Sequence, residues 1–312
     1  MEKMTRGKLI SLALLLLSLT LSFAVGYYLA GLQPSKEAEQ ELKFIDGYGR
    51  AVSISQRPLR IISLAPSVTE TLYAIGIGER VVAVDDFSDY PDEARGKAKI
   101  GSYLSPDLEK IVSLKPDLIL ASDITSREMV LNLEEKDLTV FVLAPKTLRE
   151  VIRDIRLIGL ITGSADKANA IAEKLEQRID AITSKISNSS TQRPRVSLEY
   201  YPYWTFGPGS FGHDLILMAG GRNVAEGALA AYPQVSNEFV VGSNPEIIIF
   251  TVGPHAETTI QDIENRPGWR DTEAVRSGRI YTIDDDILSR PGPRLVDALE
   301  QLAKMIHPEL FV

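Results

Sequence analysis

The sequence predicts an α/β protein of two lobes joined by one long helix, with a membrane anchor or signal segment in front. Three observations carry this. Short apolar runs alternate with helix-length segments over residues 61–144 and again over 195–284, a stretch of helical periodicity separates the two series at 147–186, and a charge-free run fills 9–32. Strand alternating with helix implies a parallel sheet covered on both faces, and two such units on either side of a helical strut make a cleft.

Taken in order, Lys3, Arg6 and Lys8 precede the 24 residues of 9–32, which only Ser, Thr and Gly interrupt. That length spans about 30 Å of hydrocarbon. Basic residues before the span hold that end in the cytoplasm, so the remainder lies outside the membrane. An uncleaved anchor is favoured, and a cleaved signal peptide, with Ala24, Gly26 and Ala30 as cleavage candidates, is the alternative. Residues 33–41, polar and carrying Pro34, read as a tether. Asp46-Gly47 and Gly49 between alternating apolar residues signal a hairpin at 44–54. Strands are expected at 61–65, 81–84, 118–121 and 140–144, with helices at 68–75 and 108–114. Leu148, Val151, Ile152, Ile155 and Ile158 begin the helical stretch, and Leu175, Ile179 and Ile182 continue it after a break at Gly163-Ser164. About 20 helical residues reach roughly 30 Å, a domain diameter. Asn188-Ser189-Ser190 ends it as a polar loop with a glycosylation sequon. Strands at 195–200, 247–252 and 280–284 follow, with a helix at 214–219 and a closing helix at 294–306. The parts expected are therefore 1–32, 33–41, 42–146, 147–187 and 188–312.

Composition removes several functions. A formal net charge of −8 leaves no basic stripe for phosphates, so no nucleic-acid partner is expected. Zero cysteines exclude a disulfide, a thiolate metal site, a Cys nucleophile and a lipidated Cys. His213, His255 and His307 form no pair at ligand spacing, so no metal site is assigned, although His255 falls beside the predicted cleft. No Gly-x-Ser-x-Gly, Walker loop or His-Glu-x-x-His occurs, and no catalytic residue is named. The loop Gly207-Pro208-Gly209-Ser210 lacks the Lys-Ser/Thr end of a phosphate loop. A metal-dependent hydrolase built on Asp284-Asp285-Asp286 is the alternative from another class.

Ligands of such sheets bind beyond the carboxyl ends of the strands. Those positions hold Ser67, Asp85 to Tyr90, Tyr103 and Ser122 in the first half, and Tyr200, Tyr201, Tyr203, Trp204, Tyr232, His255, Asp286 and Arg290 in the second. Five aromatics at 200–204 and 232 offer flat rings to a large planar ligand. Two segments, 66–70 and 234–238, place a Ser shortly before Glu70 and Glu238 at helix starts, as ordinary caps do.

The segments Arg60-Ile61-Ile62-Ser63-Leu64-Ala65-Pro66-Ser67-Val68-Thr69-Glu70, Ser88-Asp89-Tyr90-Pro91, Ser105-Pro106-Asp107-Leu108-Glu109 and Leu114-Lys115-Pro116-Asp117 together resemble the substrate-binding proteins of ABC importers for cobalamin and ferric siderophores. The resemblance runs from about residue 44 to 308. It implies two Rossmann-like lobes, no enzymatic activity, and a monomer that delivers its ligand to a permease with its ATPase. It implies cleft contacts at Ser67, Tyr90, Tyr103, Trp204, Tyr232, Asp286 and Arg290, and permease docking through Glu70 and Glu238. The sequence departs from the cobalamin pattern at Tyr103, Tyr232 and Ser122, where the resemblance leads one to expect tryptophans. The transported ligand is then cobalamin or a related corrinoid, with a ferric siderophore, read by arginines such as Arg290 and Arg294, as the alternative.

Overall fold

The chain forms two compact units, Met1–Leu42 and Lys43–Val312. The structure, a computed structural model, describes residues 42–54, 57–253 and 258–311, together with Gly7, Ser18, 20–23 and Tyr28. In the first unit those described up to Tyr28 are helical and exposed. The rest of the expected membrane segment at 9–32, and the tether at 33–41, lie outside the described residues, as does His255. Among the described residues no helix is long and apolar enough to cross a membrane.

The predicted hairpin forms from β1 (Leu42–Ile45) and β2 (Ala51–Ile54). Its turn is closed by Asp46, whose carboxylate accepts from the backbone N–H of Tyr48 and Arg50, both at 2.9 Å, while Gly49 takes φ +77°. A non-glycine residue there would meet its own carbonyl.

The first lobe is a five-stranded sheet in the order β5-β4-β3-β8-β9, built from β3 (Ile61–Ser63), β4 (Val81–Val84), β5 (Ala98–Lys99), β8 (Leu118–Ser122) and β9 (Val140–Leu143), every pairing parallel. A small ribbon of β6 (Gly101–Ser102) and β7 (Ser105–Pro106) projects beside it. Its helices are α1 (Pro66–Ala74), α2 (Asp92–Arg95), α3 (Leu108–Ser113) and α4 (Arg127–Glu134). Burial on both faces explains the unbroken apolar strands. Ile61, Leu118, Leu120 and Phe141 point into one core, and Ile62, Ile119, Ala121 and Val142 point into a second on the opposite face.

The helical stretch resolves into two helices, α5 (Leu148–Ile161) and α6 (Ala165–Ser187). Gly163, at φ +65°, makes the turn between them at the break the sequence marks. The two helices pack so closely that a Cβ on Gly159 would sit 2.2 Å from the Ala168 Cβ. The longer of the two, α6, has 23 residues and reaches roughly 35 Å. Its buried stripe is Ala168, Ala172, Leu175, Ile179 and Ile182.

The second lobe repeats the plan with β10 (Arg195–Tyr201), β11 (Trp204–Thr205), β12 (Arg222–Asn223), β13 (Ile247–Val252) and β14 (Ile280–Asp284), in the order β11-β10-β13-β14 with β12 also on β10. Only β11 runs antiparallel. The helices are α7 (Phe211–Met218), α8 (Asn237–Ser243), α9 (Ile260–Asn265), α10 (Glu273–Arg276), α11 (Asp285–Ser289) and α12 (Leu295–Ile306). The closing helix α12 is tied to the strut by Arg178, which reaches Asp297 at 2.7 Å and Glu300 at 2.9 Å. One apolar core runs continuously from Ile61 and Leu118 through α5 and α6 to Val196, Ile249 and Leu299. The lobes are thereby joined through packing as well as through the chain.

Candidate functional site

The carboxyl ends of both sheets carry the side chains that matter. In the first lobe Pro66 opens α1 directly after β3, with Ala65 as an N-cap that has no side-chain hydrogen bond. Ser67 is therefore a helical residue rather than the cap expected of it, and it is 7% exposed. Lobe two closes over it, since a Cβ on Gly292 would lie 3.1 Å from the Ser67 carbonyl oxygen. Ser67 lines a cavity of about 20 Å³ shared with Ser122, Asp154 and Pro291. The Ser122 hydroxyl is buried there without a hydrogen-bond partner. Burial pushes the Asp154 carboxyl up to about 6, against the lowering effect of Arg153.

The 85–90 loop after β4 is pinned by a chain of hydroxyls. Thr69 Oγ1 lies 2.8 Å from Ser63 Oγ and 2.7 Å from Ser88 Oγ, and the Ser88 hydroxyl donates to the Asp85 carboxylate. Asp85 also accepts from the Phe87 N–H at 2.9 Å, while Lys99 donates to the carbonyls of Asp85 and Ser88. Burial raises the Asp85 carboxyl, and the Ser88 and Phe87 hydrogen bonds oppose it. Asp89 and Tyr90 are thus presented from a fixed loop.

Against that loop comes an ion-pair network from the second lobe. Arg294 donates twice to Glu70, Nε at 2.9 Å and Nη2 at 2.6 Å, and its guanidinium lies 4.0 Å from the centre of the Tyr90 ring. Arg290 reaches Glu70 at 3.3 Å, Asp89 at 2.8 Å, Asp286 at 2.6 Å and the Phe87 carbonyl at 3.3 Å. Burial pushes Asp286 above the usual carboxylate range despite Arg290, with Asp89 and Asp284 adding to the rise. For Asp89 burial acts upward too, but the Arg290 hydrogen bond and charge win and hold it low.

This network corrects the reading of Glu70. At 2% exposure and under two guanidiniums its carboxylate cannot meet a permease. The repeated plan of the lobes identifies a different counterpart for Glu238. Ser236 caps α8 by accepting from the Phe239 N–H at 3.2 Å, and Asp107 caps α3 by accepting from the Lys110 N–H at 3.0 Å. Two residues after each cap stands an exposed glutamate, Glu238 and Glu109. Each helix then leads through Pro-acid, Pro245-Glu246 and Pro116-Asp117, into a central strand. Glu246 accepts from the Arg195 N–H at 2.9 Å, and Asp117 from those of Leu59 and Arg60 at 2.8 Å, so both acids bind the start of the neighbouring strand. The recurrence of cap, glutamate and Pro-acid was present in the sequence, whereas the Ser-to-Glu spacing that singled out Glu70 was an incidental likeness.

The second lobe gathers aromatic rings. Tyr232 stands edge-on to Tyr200, Phe206 and Phe211, with centroids 6.2, 6.0 and 6.3 Å away, and Tyr200 leans on Phe206 at 4.8 Å. Tyr232 remains 37% exposed. Burial, then Asp123 of the first lobe and Tyr200, push its hydroxyl well above the ordinary range, so it stays a neutral phenol. Trp204 is half-buried on β11, bridged to Gln234. Tyr203, at φ +66°, faces Arg266, which is sandwiched between Tyr203 and Trp269 and forked onto Glu199 at 2.6 and 2.7 Å. In the first lobe Tyr103 meets Phe87 at 5.2 Å. The structure therefore brings Tyr90, Asp286 and Arg290 into one network, places Tyr232 in a separate ring cluster, and gives Ser67 a covered position.

The residues of the hydrolase alternative have other work. Asp284 caps α11 through the Ile287 N–H, Asp285 accepts from Ser289, and Asp286 pairs with Arg290. His213 bonds Asn223 and His307 lies against Gly220 and Glu309.

A family model described as "Periplasmic binding protein" matches residues 61–287. An uncharacterised ABC transporter substrate-binding lipoprotein, YvrC of Bacillus subtilis, is 31% identical over 274 residues, covering 85% of each chain. The structure of the periplasmic vitamin B12 binding protein BtuF of Vibrio cholerae superposes with a TM-score of 0.71 at 29% identity, over 81% of this chain and 98% of that one. A periplasmic heme-binding protein of Roseiflexus sp. RS-1 gives a TM-score of 0.72 at 26% identity, over 80% and 98%.

Proposed function

The chain belongs to the periplasmic binding protein family, and we propose that it is the extracytoplasmic substrate-binding component of an ABC importer, capturing cobalamin or a related corrinoid and handing it unchanged to a permease. The observation that carries the ligand is the aromatic cluster around Tyr232, one ring of it open at the strand ends, with Phe87 and Tyr103 on the first lobe. Rings of this kind take the face of a large macrocycle, and carboxylates at the rim accept from its amide N–H groups. Asp286 is such a carboxylate, partly buried and fixed by Arg290. Docking belongs to Glu109 and Glu238, exposed carboxylates in the first turns of equivalent helices, one per lobe.

Similarity to a haem-binding structure and the tyrosines at 103 and 232 favour a second reading, a ferric chelate. Phenolates are iron ligands, but the raised hydroxyl of Tyr232 opposes that role. Titrating the protein with cyanocobalamin in visible light tests the first reading. It predicts a one-to-one complex at micromolar Kd or tighter, about 8 kcal/mol. Absence of corrinoid binding alongside tight binding of a ferric siderophore would replace it.

A further inference from the structure

We propose that Glu70 and Asp89 are specificity-determining residues that mask Arg290 and Arg294, so that the cleft takes a neutral, amide-edged ligand and rejects an anionic one. The proposal rests on the binding-protein reading of the cleft and deepens it. The two guanidiniums are answered by three carboxylates, Glu70, Asp89 and Asp286. Arg290 reaches all three and the Phe87 carbonyl, and Arg294 donates twice to Glu70 and lays its face on Tyr90. The side chains of Arg290, Arg294 and Glu70 are only 11%, 18% and 1% exposed, so these pairs are poorly screened by solvent. Nearby cations are engaged likewise. Lys99 is held by the carbonyls of Asp85 and Ser88, Lys146 by Asp123, and Arg266 by Glu199. Arg127 lies on the Tyr48 ring.

A ligand bearing carboxylates or catecholates would normally be gripped by arginine forks. Here it must displace a carboxylate already in place, from a network in which Arg95 also stands 3.7 Å from Asp89. A ligand edged with primary amides meets no such conflict, because its N–H groups donate to the carboxylate oxygens and its carbonyls need no free cation. Selectivity arises from what occupies the arginines.

The test titrates the full chain with two macrocycles of different charge, cyanocobalamin and haemin, the second carrying two propionates. In the unaltered protein the affinity ratio favours cyanocobalamin by at least about tenfold. Asp89→Asn, at a side chain 34% exposed, removes one masking charge and keeps the fold. Haemin binding should tighten by about tenfold and the ratio should fall accordingly. Glu70→Gln should act in the same direction, and if burial makes it unfold, Asp89→Asn carries the test alone. A folded Asp89→Asn protein with no gain in haemin binding overturns the proposal. The corrinoid reading fails separately: neither protein would bind cyanocobalamin, while haemin binding would still rise in Asp89→Asn.

Discussion

Tyr232, proposed above as a ligand contact, is positioned by its own neighbours. Three rings hold its edge and leave about a third of its surface open, so a ligand gains contact without first ordering the side chain. Tyr232→Ala should weaken ligand binding by roughly 1–3 kcal/mol with the fold retained, read by calorimetry. Unchanged affinity would place the ring outside the contact. Asp154 makes a prediction about stability instead. Its carboxyl titrates near 6 when folded, against 3.8 as the ordinary value. Between about pH 4 and pH 6 the folded state therefore binds more protons than the unfolded one, and this group's contribution falls as pH rises, by up to about 3 kcal/mol. Asp154→Asn should remove that decline, making the protein more stable than wild type at pH 7 and little different at pH 4. Parallel denaturation profiles for the two proteins would contradict the assignment. Nothing in the residues around position 154 announced this burial, because helical spacing marks the apolar stripe and gives no sign of which polar residue falls beside it.

At the scale of elements, the strands and the helical strut were legible because burial on both faces leaves unbroken runs such as Leu118-Ile119-Leu120-Ala121. The Gly163-Ser164 break was legible for the same local reason. Close packing of α5 on α6 was not, since Gly159 looks like any glycine until Ala168 is seen 2.2 Å from its missing Cβ. Gly159→Ala should destabilise by about 1–3 kcal/mol despite alanine's better helix propensity, and a stability equal to wild type would mean the helices can separate at no cost. The helices α3 and α8, proposed above as the docking sites, make the functional prediction. Glu109→Ala and Glu238→Ala should leave ligand affinity unchanged and slow uptake in vesicles, each losing about 1 kcal/mol of docking free energy. The double substitution should be worse than either, because both lobes must engage together. Normal uptake by Glu109→Ala would return the first-lobe contact to some other side chain.

In the whole molecule the decisive contacts join residues more than 200 positions apart, Glu70 to Arg290 and Arg294. Local spacing carries no trace of such pairing, which is why Glu70 read as a surface carboxylate and Arg290 as a free ligand contact. The overall plan of two lobes on a strut was legible, because it is written in repeated local units. The closure of one lobe on the other was not, because it depends on which charges meet after folding. The proposal that this cleft holds a corrinoid is tested by a visible-absorption titration of the full chain with cyanocobalamin. The prediction is saturation at one equivalent with micromolar or tighter affinity and recovery of the ligand chemically unchanged. No spectral change up to a large excess of ligand would contradict it.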